Sequence, residues 1–180
     1  MERQLLLLGL LRREDMHGYR LNEFIERDLA FCADVKKSTA YYLLDKLSEQ
    51  GYITEVDDPT ADDSGRPPRT IYSITPAGEE HFQVLLRDNL RAFERHTFPG
   101  DMGIAFMDAL PPNEAADLLK ERRRAMQAQL ESLQTAPAHH GPLNLVIDHH
   151  LTHLQAEIAW LDRALDWLDH LPEQDTLPRD

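Results

Sequence analysis

The sequence predicts a mainly α chain: a winged helix-turn-helix domain with a two-stranded β wing, followed by a C-terminal helical, coiled-coil-like dimerisation region. Three observations predict it. A helix opens on Lys36-Lys37-Ser38-Thr39, carries Leu43, Leu44 and Leu47 on its buried side, and meets Gly51, a residue that tolerates the positive φ of a helix end. Two alternating, β-rich segments, residues 52–56 and 70–74, follow it and flank a polar loop with Arg66-Pro67-Pro68-Arg69. Finally, Ile147, Leu151, Leu154, Ile158, Leu161, Leu165 and Leu168 are spaced 4, 3, 4, 3, 4, 3, which is the apolar seam of a heptad helix.

The elements follow in order. Residues 4–13 are Leu-rich nearly all round, so they predict a short helix buried at the centre of the head. Asp15-Met16-His17-Gly18 reads as a turn. Tyr19, Leu21, Phe24, Ile25 and Leu29 have helical spacing and predict a second helix over 17–28. Residues 38–50 are the third helix, and the wing strands come next. Between them, Asp57, Asp58, Pro59, Asp62, Asp63, Gly65, Pro67 and Pro68 give 57–69 the chemistry of an extended loop. Thr75 is a good N-cap and Pro76 a good first helical residue for a fourth helix to about residue 96, with Phe82, Leu85, Leu86, Leu90 and Phe93 on one face.

Composition shifts at Phe98-Pro99-Gly100. A Met- and Phe-containing stretch, 102–110, leads to Pro111-Pro112, and Asn113 is placed to cap a helix to about residue 134. Leu119, Met126, Leu130 and Leu133 face inward on it, and Arg122-Arg123-Arg124 outward. Residues 136–142 form a Pro- and Gly-containing hinge, and the seam helix occupies 143–171. The expected organisation is a DNA-binding domain over 1–97, a helical dimerisation and effector region over 98–171, and a flexible tail over 172–180.

Charge and cysteine content restrict the function. The chain is 180 residues long with a net charge of −13, unusual for a nucleic-acid binder. Its distribution matters more: residues 1–75 hold 10 Lys/Arg and 14 Asp/Glu, whereas 76–180 hold 9 and 18. The acid is concentrated away from the head, where Lys36, Lys37, Lys46, Arg66 and Arg69 bracket the third helix and wing. Modest, salt-sensitive binding to duplex DNA is expected from such a face. The longest apolar run, residues 5–8, is too short to span a bilayer, and the N-terminus lacks the pattern of a signal peptide. The one cysteine, Cys32, excludes an internal disulfide, and a cytoplasmic location is expected.

The early Leu run with His17-Gly18-Tyr19, then Ser38-Thr39-Ala40-Tyr41-Tyr42-Leu43-Leu44 with Leu47 and Gly51, then Arg69-Thr70-Ile71-Tyr72-Ser73-Ile74-Thr75-Pro76-Ala77-Gly78 together resemble the motifs of PadR-type transcriptional regulators. The segment Leu154-Gln155-Ala156-Glu157-Ile158-Ala159-Trp160-Leu161 is similar to the last helix of longer members. The resemblance covers residues 4–96 well and 113–170 loosely. It implies a homodimeric repressor acting on a palindromic operator, with a small, often aromatic, effector that releases DNA. The chain departs from the pattern at Asp45, where a basic residue is usual, at Tyr42, where proline is common, and in the acidic wing.

Residue roles follow. Lys36, Lys37, Ser38 and Thr39 stand where helix N–H groups and side chains reach phosphates or base edges. Of Tyr41 and Tyr42, one is expected to pack and one to touch the DNA backbone. Lys46 is a phosphate contact, and Arg66 and Arg69 suit a narrow minor groove at a stiffened wing tip. Dimerisation is assigned to the seam, Ile147 through its last member Leu168. A flat effector is assigned to Phe93, Met102, Phe106, Trp160 and Trp167, because flat apolar faces suit aromatic ligands.

His139, His140, His149, His150 and His153 cluster, and His149 and His153 have metal-ligand spacing, but no Cys or zincin motif accompanies them. No metal or cofactor is therefore assigned. With no nucleophile elbow, phosphate-binding Gly loop or paired carboxylates in a cleft, no enzyme is expected. The alternatives are a winged-helix protein-interaction module without DNA binding, and a metal-responsive regulator using the 139–153 histidines.

Overall fold

Leu7, Leu8 and Leu11 are almost wholly buried, and they place the first helix, α1 (Glu2–Leu11), at the centre of the N-terminal unit. A computed structural model of the chain describes residues 2–29, 35–57, 70–93, 98–135 and 141–170. The chain divides into two units, Met1–Arg95 and His96–Asp180.

In the first unit, α1 packs on the helices α3 (Lys37–Glu49) and α4 (Pro76–Arg91). The α1–α4 approach is close: a Cβ at Gly9 would stand 3.2 Å from the Phe82 ring. Arg12 locks the same pair from outside, its Nε donating to both carboxylate oxygens of Glu79 at 2.8 and 2.9 Å while the guanidinium lies over Phe82. That bond, with a second from Gln83, holds the Glu79 carboxyl below its usual pKa. Helix α2 (Gly18–Asp28) buries Leu21 and Ile25. A Cβ at Gly18 would lie 2.9 Å from the Tyr41 ring and 3.3 Å from the Tyr72 ring, so glycine there lets both tyrosines pack against the helix start.

The two wing strands form where expected, and a third strand joins their sheet. The strands β2 (Ile53–Asp57) and β3 (Thr70–Ile74) pair antiparallel in the register Ile53↔Ile74 to Asp57↔Thr70. Met16 and His17, expected in a turn, form a two-residue strand β1 (Met16–His17) on the far edge of β3, opposite Tyr72 and Ile71. The sheet therefore has three strands in the order β1-β3-β2. Two residues carry no readable alternation, and what makes them a strand is the unpaired backbone edge of β3.

Two local predictions hold in atomic detail. Gly51 takes φ 75°, with its N–H bonded to Ser48 O and that of Tyr52 to Leu47 O, the paired bonds of a Schellman close to α3. Thr75 caps α4: its Oγ1 accepts from Gly78 N at 3.1 Å and donates to Gly51 O at 2.7 Å, and Pro76 opens the helix. Helix α4 ends at Arg91, earlier than expected, leaving Leu90 and Phe93 exposed (76% and 92%) rather than on a buried face.

The second unit is a helical hairpin with a short preface: α5 (Asp101–Ala105), a 3-10 turn (Met107–Ala109), α6 (Pro112–Gln134) and α7 (Pro142–Asp169). Pro111, not Asn113, takes the N-cap position of α6, because Pro112 is the residue suited to the first helical position. The two long helices run antiparallel. Ala115, Ala116 and Leu119 pack with Leu161 and Leu168 near one end, and Leu130 with Leu154 and Ile158 near the other. The seam of α7 is thus occupied within its own chain: Leu154, Ile158, Leu161 and Leu168 are buried against α6, while Ile147, Leu151 and Leu165 are half-buried. Arg122 and Arg123, expected to face solvent, reach across to α7 and pair with Glu157 and Asp162; Arg124 is exposed. No described helix is long and apolar enough to cross a membrane.

Candidate nucleic-acid interface and ligand cavity

Helix α3 has two faces. Ala40, Leu44 and Leu47 are at most 1% exposed and fix the helix to the core. Opposite them lie Lys36, Lys37 and Ser38 at the start, then Tyr42, 63% exposed, then Lys46. Lys36 is the N-cap residue, extended at φ −66° and ψ 146°, and no side chain caps the helix. An uncapped helix start, carrying partial positive charge and flanked by two lysines, is an electrostatic site for a phosphate oxygen. Among the described residues, none of Lys36, Lys37 and Lys46 is engaged in an ion pair. Thr39 is half-buried at the edge of this face.

The two tyrosines separate cleanly. Tyr41 is half-buried and packs beside Gly18, whereas Tyr42 projects to solvent in line with Ser38 and Lys46. Behind them Tyr72 is 7% exposed at the centre of the sheet; burial, reinforced by the negative charges of Glu55 and Asp45, pushes its phenol up, so it stays neutral. Arg66 and Arg69 of the wing tip lie outside the described residues, as do Cys32, His139 and His140 and the 172–180 tail.

Among the effector residues expected from the sequence, none of Met102, Phe106, Trp160 and Trp167 lines the open cavity of the second unit. Phe93 belongs to the first unit and the other four to the second. Met102 and Phe106 are about two-thirds exposed, Trp160 is half-buried on the Ala115–Leu119–Leu161 cluster, and Trp167 is 46% exposed. An open cavity of about 420 Å³ lies elsewhere in the second unit, within the usual size of a small-molecule site. Phe98, Pro99, Met126 and Leu154 form its apolar wall, and Arg122, Gln129, His150, His153 and Glu157 its polar side. Arg122 is the pivot, with Nη2 donating to Glu157 Oε1 at 2.6 Å and to Pro99 O at 2.9 Å. A Cβ at Gly100 would stand 2.4 Å from Arg122 Nη1, so the glycine, at φ 101°, makes room for the guanidinium. Burial, then the neighbouring charges of His149 and His153, hold the His150 imidazole below its usual pKa. The sequence shows Arg122, His150 and His153 but not their convergence on one cavity, because their partners lie far along the chain: Arg122 and Glu157 are 35 residues apart.

Residues 7–84 match the transcriptional regulator PadR-like family, and residues 102–169 match the virulence activator alpha C-terminal family. The chain is 25% identical over 176 residues to the negative transcriptional regulator PadR of Bacillus subtilis, spanning 91% of this chain and 95% of that one. Its fold is similar to the crystal structure of Bacillus subtilis PadR in complex with operator DNA, with a TM-score of 0.79 and 23% identity over 92% of this chain and 98% of that one. The same protein in complex with p-coumaric acid matches with a TM-score of 0.76 and 22% identity, over 93% and 96% of the two chains. The Vibrio cholerae virulence activator AphA matches with a TM-score of 0.73 and 20% identity, over 93% and 98%. The chain thus carries a PadR-like domain over residues 7–84, and along nearly its whole length it is similar to a PadR transcriptional regulator.

Proposed function

We propose that the chain is a sequence-specific, DNA-binding repressor that works as a homodimer and is released by a small aromatic effector. The observation that carries the DNA reading is α3: buried by Ala40, Leu44 and Leu47 on one side, and uncapped, cationic and exposed on the other. The family match and the operator complex of the Bacillus subtilis relative support it. Lys36, Lys37 and Ser38 hold phosphates, Tyr42 lies along the backbone, and Lys46, Arg66 and Arg69 extend the contact. Dimerisation falls to the second unit, whose exposed apolar side chains include Met102, Phe106, Leu118, Leu145 and Trp167. Two heads then read two half-sites.

The effector reading moves from the tryptophans to the cavity around Arg122. An aromatic acid can lay its ring on Phe98 and Met126 and present its carboxylate to Arg122, in competition with Glu157. The p-coumaric acid complex of the relative supports this chemistry. A ligand weakens DNA binding only through tighter binding to the DNA-incompetent arrangement, and a coupling of about 1–3 kcal/mol corresponds to roughly 5- to 150-fold. The test is a gel shift on duplex DNA from upstream of the protein's own gene, with and without p-coumaric acid. A shift that the acid reverses in the intact protein, and does not reverse in Arg122→Gln, is expected. No shift at low salt refutes the DNA reading; a shift that no aromatic acid alters refutes the effector reading alone.

A further inference from the structure

The third turn of α7 carries a pair of histidines that the DNA and effector readings do not use together. His149 and His153 stand one helical turn apart and both are exposed. Their Nε2 atoms face each other at 3.0 Å, with the rings nearly perpendicular at 86° and their centroids 4.5 Å apart. A shared proton can bridge two imidazoles in this way. The same convergence is that of two ligands on one metal ion. With zinc–nitrogen bonds of about 2.0–2.1 Å and tetrahedral angles, two ligand nitrogens lie about 3.3–3.4 Å apart. The pair therefore needs to open by only a few tenths of an ångström, within the freedom of exposed side chains.

The surroundings favour a cation. The second unit, residues 96–180, holds 14 Asp/Glu against 6 Lys/Arg, so its field is negative. His150 adjoins the pair, its ring centroid 6.2 Å from that of His149. Glu157 lies one more turn along the His149–His153 line but is held by Arg122 at 2.6 Å. Among the described residues no group of three or more His, Cys, Asp and Glu side chains converges on one point. The protein thus offers two nitrogens and leaves the remaining positions of an ion open.

We propose that His149 and His153 form a two-nitrogen site for a divalent first-row metal ion of the zinc and nickel class, at the rim of the cavity that His153 lines. Imidazole is the ligand type that suits these ions, and the open positions are filled by water or by an oxygen of a cavity ligand. On binding, the ion replaces the bridging proton. That proton returns through solvent to Nδ1 of its own ring, so both rings coordinate through Nε2 and carry Nδ1–H, with no net proton released. The inference is independent of DNA binding.

Titration of Zn²⁺ into the intact chain tests it, read by calorimetry and by long-range ¹⁵N–¹H spectra of the imidazole rings. The expected result is one ion per chain, with Nε2 of His149 and His153 moving together. His149→Gln and His153→Gln should each weaken binding about tenfold or more, because the second ligand is then no longer held at high local concentration. His150→Gln should bind as the wild type does. The proposal is overturned by wild-type affinity in both single variants, by spectral changes confined to other histidines such as His139 and His140, or by the absence of saturable binding.

Discussion

Gly78 shows how much one residue decides in the N-terminal unit. It sits in the first turn of α4, beneath the Thr75 cap, and a Cβ there would lie 1.9 Å from the carbonyl oxygen of Tyr52. That carbonyl accepts from Thr75 N, and the Tyr52 ring stacks on His81 at 4.2 Å, so neither side of this approach can yield cheaply. Gly78→Ala should therefore destabilise the protein by about 1–3 kcal/mol or more, read as a lowered midpoint in urea with an unchanged slope. Ala at the exposed Gly103, where an added Cβ meets nothing, is the control. Residues with local chemistry were legible in the sequence: Gly51 as a helix end, Thr75 as a cap, Pro76 as a first residue. The need for glycine at 78 was not, because the atom it must avoid belongs to the chain before the wing. For the same reason the sequence could not decide between Tyr41 and Tyr42; Gly18, on another helix, makes room for Tyr41.

The α6–α7 hairpin carries the corresponding lesson for elements. Heptad spacing announced an apolar seam on α7 but not what covers it, since a seam has the same pattern whether its partner is α6 or a second chain. Here α6 covers Leu154, Ile158, Leu161 and Leu168. Leu161 is fully buried, and Leu161→Ala should cost about 2–5 kcal/mol of stability in denaturant unfolding. A cost below about 1 kcal/mol would mean the hairpin core lies elsewhere. Strand β1 escaped notice because two residues have no period, and the Arg122–Glu157 and Arg123–Asp162 bridges because charges on separate helices reveal no partner. His150 gives the hairpin a pH dependence. Its folded pKa is depressed, so the unfolded chain binds the proton first as pH falls below the ordinary imidazole value. The stability linked to it is full above that value and is lost as pH drops towards the folded one. Thermal unfolding of the intact chain should therefore show a midpoint that declines from neutral to mildly acidic pH, and His150→Gln should flatten the decline. An unaltered profile in that variant would remove His150 as the cause.

Across the whole molecule, acidic residues outnumber basic ones in both units, 18 to 13 in the first and 14 to 6 in the second. A cationic helix start is carried on a chain of net charge −13, so non-specific attraction to DNA is weak and binding depends on a few placed groups. Such a protein gains from pairing two heads, and sedimentation of the intact chain should give twice its 20.7 kDa mass at micromolar concentration. A 20.7 kDa species throughout would contradict the homodimer. On the proposed function, the start of α3 binds DNA through its lysines. The most direct measurement is the salt dependence of binding to upstream duplex DNA, by fluorescence anisotropy, for the wild type and Lys37→Ala. If Lys37 neutralises one phosphate on each head, the log–log slope should fall by about 0.9 for each of the two phosphates that a dimer of the variant leaves unneutralised, with the far-ultraviolet circular dichroism unchanged. An identical slope and affinity in a folded Lys37→Ala variant would place the DNA-binding surface somewhere other than the start of α3.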